Sequence, residues 1–330
     1  MKKFCLAVLI LLGMLIAGCS NDSGSSDNAS YPERQIELVV PFAAGGGVDL
    51  AARAVAEYLS KEWGQSIVVT NKTGGGGIVG AQYALKEAKP DGYTVLVNNN
   101  SSTTMYEAGT SNPTITSKDN KFVSRIAEAS LTYAVKEDAE WESFKEFSDW
   151  VKANPEELTW ASVGPAGFSS FGVAEWLDSI GVDYKNTSMV SSEGASDSTA
   201  KVAGGHVILA VHNVGEVYSL AESGKIKILA VQSSERSPLY PDVPTVEEEG
   251  FTGLTVKWWT GLSFAADVPD EIVEKWDEAI AEMEQDKAFI KELEKIKLEP
   301  SYLNSEDFTQ AVKEETERYT KLAETTGIRK

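Results

Sequence analysis

Three short glycine-bearing stretches hold most of what this chain offers for chemistry. The first reads Pro41-Phe42-Ala43-Ala44-Gly45-Gly46-Gly47-Val48-Asp49, between an apolar run and a helix-forming segment. Glycine lets a backbone turn sharply and lets another molecule approach the main-chain amides. The start of a helix adds N–H groups without intrahelical partners and a partial positive charge. Together these bind a carboxylate with no help from Lys or Arg. Asp49 reads either as the cap of that helix or as part of the binding turn. The second stretch runs from Asn71 to Gly80, and Gly75, Gly77 and Gly80 match GxGxxG. It starts too far from its strand for a dinucleotide turn, and the place of the ribose-binding acid falls among Asn98, Asn99 and Asn100. These glycines are expected to pack closely at the floor of a cleft. The third stretch is Ala161-Ser162-Val163-Gly164-Pro165-Ala166-Gly167-Phe168-Ser169-Ser170. Ser169 or Ser170 can cap the helix that follows, and the remaining hydroxyls and amides can meet an anion.

No catalytic set emerges. The sequence has no GxSxG, P-loop, HExxH or CxxC pattern. Its two histidines, His206 and His212, are expected on one strand segment, roughly 20 Å apart at strand rise and too far for one metal. His212-Asn213 ends an apolar run, where ligands of open α/β sheets sit. Two cysteines and two histidines leave almost no material for a zinc site, an iron–sulfur cluster or a Cys/His dyad. No enzyme activity, metal or cofactor is therefore expected. Lys and Arg number 30 against 50 Asp and Glu, a net charge of −20. That balance argues against nucleic acid, which needs a basic surface, and against a basic membrane-surface helix.

The elements that must position these stretches alternate along the chain. Residues 35–40 read as a strand, 49–63 as a helix, 66–69 as a strand, 78–88 as a helix and 93–97 as a strand. The alternation resumes with strand 158–162, helix 171–179, strand 207–211, helix 214–223 and strand 226–231. Strand–helix–strand order predicts parallel sheets covered by helices. The acidic tail, 269–330, reads as helices. One carries the stripe Ile272, Val273, Trp276, Ile280 and Met283, another the stripe Phe308, Val312, Tyr319 and Leu322. Asn304 or Ser305 is expected to cap the last helix and Gly327 to end it. An apolar share of 42% over 330 residues suits one large domain or two medium ones, and the two α/β segments suggest two lobes.

The first segment reads as an address. Lys2 and Lys3 precede an apolar run of 13 residues, 4–16, that is short for a membrane span. It ends in Ile16-Ala17-Gly18-Cys19, which resembles the bacterial lipobox. The resemblance implies a lipoprotein signal peptide over 1–18 and acylation of Cys19. An ordinary secretory signal with Cys19 incidental is the plainer alternative. Residues 20–30 are small and polar and read as the body of a flexible tether over 19–31.

Several stretches together resemble one family. They are YPERQIELVVPFAAGGGVDLAAR, VVTNKTGGGGIVGAQ, KPDGYTVLV, ASVGPAGFSSFGVAEWL, LAESGKIKILAVQSSERSPLYPDVPTVEEEG and WTGLSFAADVPDEI, in this order behind the lipobox. The chain resembles the Bug-type extracytoplasmic solute receptors of tripartite tricarboxylate transporters. The resemblance implies a two-lobed periplasmic-binding-protein-like α/β fold (type II) with a ligand cleft between the lobes. Lobe 1 is expected over 32–130 plus 252–330 and lobe 2 over 131–251, with crossings near 130–135 and 253–259. It implies a small carboxylate as ligand, transporter membrane subunits as partners and no nucleic acid; a monomer is expected. The expected ligand-binding set is Phe42, Ala43, Ala44, Gly45, Gly46, Gly47, Asp49, Ser101, Ser102, Thr103, Ser162, Val163, Gly164, Phe168, Ser169, Ser170, His212, Asn213 and Trp259. Phe168 and His212 depart from the family's usual text. His212 is expected to offer a hydrogen bond or a charge to a second carboxylate. A ligand-sensing partner of a signalling receptor needs the same cleft and is the alternative function. An exported hydrolase is the third reading, weakened by the lack of an activated nucleophile.

Overall fold

The computed structural model describes residues 31–329. The leader, Cys19 and the tether up to residue 30 lie outside them. The eleven strands of the described residues are β1 (Ile36–Val40), β2 (Ile67–Asn71), β3 (Thr94–Asn99), β4 (Asn120–Ala129), β5 (Leu131–Lys136), β6 (Thr159–Ser162), β7 (Ser188–Ser191), β8 (Leu209–Asn213), β9 (Ile226–Gln232), β10 (Trp258–Ala265) and β11 (Glu299–Leu303). The helices, in chain order, are α1 (Gly47–Trp63), α2 (Ile78–Gln82), α3 (Thr104–Gly109), α4 (Phe144–Ala153), α5 (Phe168–Ser179), α6 (Ala195–Ala203), α7 (Val214–Glu222), α8 (Asp270–Met283), α9 (Lys287–Lys295) and α10 (Ser305–Thr326).

Two sheets organise these elements. One has strand order β11-β4-β10-β3-β1-β2 and the other β7-β6-β8-β5-β9. Strand β1 pairs parallel with β2 and β3, and β6 pairs parallel with β7 and β8. The chain leaves the first sheet at Ala129 and enters the second at Leu131, so Ser130 alone separates them. It returns from β9 to β10 across residues 233–257. Glu175 on α5 accepts hydrogen bonds from the Thr255 and Val256 amides, at 2.8 and 2.9 Å, and so fixes the end of that return.

Local sequence explains where the helices start and stop. Helix α1 begins at Gly47, two residues before the expected start, because Gly46 is already extended at its N-cap. Gly64, at φ 63°, ends it. Helix α5 begins at Phe168, three residues early, again behind a glycine N-cap, Gly167. The expected helix 78–88 is α-helical only to Gln82, and Tyr83–Glu87 continues as a wider π turn. His206 lies in the turn before β8, while His212 lies in β8 itself. In the tail, the side chain of Asn304 accepts the Asp307 amide and Gly327 ends α10 at φ 75°. Ile272, Val273, Trp276, Ile280 and Met283 are all buried, as are Phe308, Val312 and Tyr319; Leu322 is half-buried. Burial of such stripes stabilises each helix by about 1.5–3 kcal/mol per large apolar side chain, which outweighs the acidic solvent faces.

Candidate functional site

A cavity of about 210 Å³ opens where the parallel strands of both sheets end. The turn after β1 and the first residues of α1 supply Phe42, Ala43, Ala44, Gly46, Gly47 and Val48. Asn99 and Ser101 follow from the end of β3, and Trp258 from the start of β10. From the second sheet come Val163, Phe168 and Ser169 after β6, and His212 and Glu216 from β8 and α7. A further turn, after β7, adds Glu193, Gly194, Ala195, Ser196 and Asp197. Strand ends are where open α/β sheets expose backbone amides.

The two principal turns present main chain, not charge. The N-caps of α1 and α5 are Gly46 and Gly167, and neither helix has a side-chain cap. Their first-turn N–H groups therefore have no partner within the helix and carry the positive end of its dipole. Close approach favours glycine at Gly47: a Cβ there would lie 3.2 Å from the Trp258 ring and 3.4 Å from Asn213 Nδ2. Among the described residues no Lys or Arg lines the cavity.

The supports of these turns differ. Asp49, only 1% exposed, is the third residue of α1. Its carboxylate accepts from the Gly45 amide at 2.8 Å, from Arg53 Nε and Nη2 at 2.9 Å each, and from Asn71 Nδ2 at 2.9 Å. Asn71 also donates to the Phe42 carbonyl at 3.0 Å. Burial alone would raise the Asp49 carboxyl, but the bonds from Arg53, the Gly45 amide and Asn71 outweigh it and hold the group below its ordinary value. In the other turn, Ser170 Oγ donates to the Gly164 carbonyl at 2.6 Å and meets Ser162 Oγ at 2.9 Å. Ser162 Oγ also reaches that carbonyl, at 2.9 Å. Ser169 donates to the Val211 carbonyl at 2.6 Å, fixing α5 to β8. A hydrogen bond crosses the cavity: the Phe168 amide donates to Ser101 Oγ at 3.0 Å.

The remaining expected residues fall into several places. Ser102 and Thr103 hydrogen-bond back to Asn99 and shape the turn after β3 without lining the cavity. Gly45, Asp49, Ser162, Gly164 and Ser170 stand behind the wall as supports. Asn213 caps α7 through Oδ1, which accepts the Glu216 amide at 3.0 Å. Its buried Nδ2 has no hydrogen-bond partner among the described residues. Trp259 does not line the cavity. Its Nε1 donates to Glu315 Oε2 at 2.7 Å on the face covered by α10, and Thr104 Oγ1 donates to the same oxygen at 2.9 Å. Trp258 takes the cavity side, since neighbouring strand residues point to opposite faces. In the glycine run, a Cβ at Gly80 would lie 2.8 Å from the Lys72 carbonyl and 2.9 Å from Pro41 Cα. That position packs backbone against backbone beneath the first turn.

Sequence reasoning passed over the turn Ser192-Glu193-Gly194-Ala195-Ser196-Asp197. It has the same signal as the others, a glycine between a strand and a helix. Val48, Asn99, Glu216 and Trp258 were also missed.

A family model described as "Tripartite tricarboxylate transporter family receptor" matches residues 51–328. The chain is 29% identical over 306 residues to a UPF0065 protein from the gbd 5′ region of Cupriavidus necator, covering 91% of this chain and 90% of that one. Among solved structures, the periplasmic binding protein BugD superposes with a TM-score of 0.81 at 27% identity, covering 91% of this chain and 99% of BugD. R. palustris Rpa4515, solved with adipate, superposes with a TM-score of 0.82 at 27% identity, covering 90% and 98%. The fold is the two-lobed periplasmic-binding-protein fold. No helix of the described residues is long and apolar enough to cross a membrane.

Proposed function

The chain belongs to the tripartite tricarboxylate transporter receptor family, and from that premise we propose that it is an extracytoplasmic solute-binding lipoprotein that captures a small carboxylate and delivers it to a tripartite tricarboxylate transporter permease. One observation carries the ligand class: two glycine-capped helix starts, one following a strand of each sheet, border one cavity that no Lys or Arg among the described residues lines. Such amides hold a carboxylate at contact range, while exposed charges more than about 8 Å away are largely screened at physiological salt. Adipate in Rpa4515 is an acid of this kind.

In this reading residues 32–130 plus 252–330 form one lobe and residues 131–251 the other. The ligand-binding set is the part of the expected one that lines the cavity, Phe42, Ala43, Ala44, Gly46, Gly47, Ser101, Val163, Phe168, Ser169 and His212, with Asn213 Nδ2 a spare donor beside Gly47. Closure brings the two helix starts onto one acid group, and the closed form docks on the permease. Acylated Cys19 holds the domain at the membrane surface. The Phe168–Ser101 bond is a contact of the closed form.

A thermal-shift screen of the purified protein against mono-, di- and tricarboxylates tests the reading. A true ligand at 100 times its Kd adds about 2.7 kcal/mol of stability. If only uncharged or cationic compounds raise the melting temperature, the carboxylate reading is wrong.

A further inference from the structure

Helix α3 ends in a residue that helix propensity does not explain. Gly109 is its last residue, and its backbone is not in the left-handed region where glycine is favoured. Alanine would serve a helix better there, since it loses less conformational freedom on folding. What excludes it is a neighbour. A Cβ at Gly109 would lie 2.8 Å from Ala166 Cβ, 3.2 Å from Ile328 Cγ2 and 3.4 Å from Ala166 Cα. Carbon atoms pack best at about 3.5–4.0 Å, so the first of these is a clash.

Gly109 and Ala166 fall in different lobes of the assignment above, and neither lines the cavity. Ala166 nevertheless directly precedes Gly167, the N-cap of α5. The amide after that cap, on Phe168, donates to Ser101 Oγ. The segment from Ser101 to Gly109 therefore meets the turn after β6 at two points, a polar one at Ser101 and a steric one at Gly109. The steric contact is firm on both sides. Thr104 Oγ1 ties α3 to Glu315 of α10 at 2.9 Å, and Ile328, 5% exposed, packs over Gly109 from just beyond the end of α10. Across from them, the Gly164 carbonyl accepts the Gly167 amide at 3.0 Å and is reached by Ser162 and Ser170 as well. An added methyl group would meet the Cβ of a braced turn, not the tip of a flexible side chain. Relief comes from drawing α3 and the turn apart.

Resting on the closing-receptor reading above, we propose that Gly109 is a positioning residue for ligand capture: its bare Cα is the seat on which Ala166 comes to rest when the lobes close, and that seat sets how near the first-turn amides of α5 come to those of α1. A side chain at this position holds the lobes apart and leaves the α5 amides short of a carboxylate held by α1, without touching the ligand itself.

The test is calorimetric titration of the purified protein with adipate, malate, citrate and benzoate, followed by titration of variants with the acid that wild type binds most tightly. Gly109→Ala binds that acid about tenfold or more weakly, the scale of an overpacked contact. The ligand-free variant melts no lower than wild type, because the open form relieves the clash. Adding Ala166→Gly to Gly109→Ala returns the affinity to within about threefold of wild type, whereas a defect confined to α3 is not repaired from the other lobe. Ala166→Val adds bulk from the opposite side and gives the same loss; it decides alone if Gly109→Ala does not fold. Unchanged affinity in the variant that decides, or a loss in Gly109→Ala that Ala166→Gly leaves in place, would overturn the seat and leave the receptor reading standing. If wild type binds none of these acids, the receptor reading falls and the seat with it.

Discussion

The turn after β1 hangs on one carboxylate, whereas the turn after β6 hangs on hydroxyls. Four hydrogen bonds converge on Asp49, all from residues of the first-sheet side. Gly164 is held through Ser162 and Ser170, which duplicate each other at one carbonyl. The helix behind that turn takes a further bond from the opposite side of the cavity, through Ser101. The first turn is thus organised by its own half of the molecule before any ligand arrives. The second takes one of its hydrogen bonds from across the cavity. In the closure mechanism proposed above, the first wall presents its amides from a self-contained network and the second is the one that responds to closure.

Asp49→Ala should break the contrast most. It strips the Gly45 amide, Asn71 and Arg53 of their shared acceptor and costs about 2 kcal/mol, less than a fully buried ion pair because Arg53 is half-exposed. The folded carboxyl is more acidic than the unfolded one. Its contribution is therefore complete above the ordinary carboxylate value and is lost as pH falls through the folded value. Urea denaturation at pH 7 and pH 3 checks this: the gap between wild type and variant should narrow in acid, and a gap that widens would contradict it.

Ser170→Ala should cost less, about 1 kcal/mol, because Ser162 still reaches the Gly164 carbonyl. A loss equal to that of Asp49→Ala would mean that the second turn is as singly supported as the first. Ser101→Ala should have the smallest effect on stability and show itself in binding. Losing the bond to the Phe168 amide should weaken a carboxylate about fivefold, corresponding to about 1 kcal/mol. Unchanged affinity in a titration would remove Ser101 from closure.

Much of this was legible without coordinates. Strand–glycine–helix text marked both principal turns, and apolar stripes marked α8 and α10, because glycine and helical periodicity act over a few neighbouring residues. The boundaries moved where a glycine N-cap let a helix start early, as at Gly47 and Phe168. The tryptophan facing the cavity was not legible. Every residue of β10 is buried, so no polar alternation reveals which face each tryptophan takes. Glu315 lies far along the chain from both Thr104 and Trp259, and its role could not be read locally. Burial raises its carboxyl although both side chains donate to it.

The sequence by itself determined the two α/β segments, the glycine turns that free helix amides, and the family to which those turns belong. Only the tertiary structure decided that Asp49 faces Arg53 and Asn71 and braces the turn from behind, that Trp258 rather than Trp259 walls the cavity, and that Glu216 stands beside His212 there. The physical reason is range. Backbone conformation and capping are set by adjacent residues, whereas the partners of a buried carboxylate or ring are chosen by packing between segments distant in the chain.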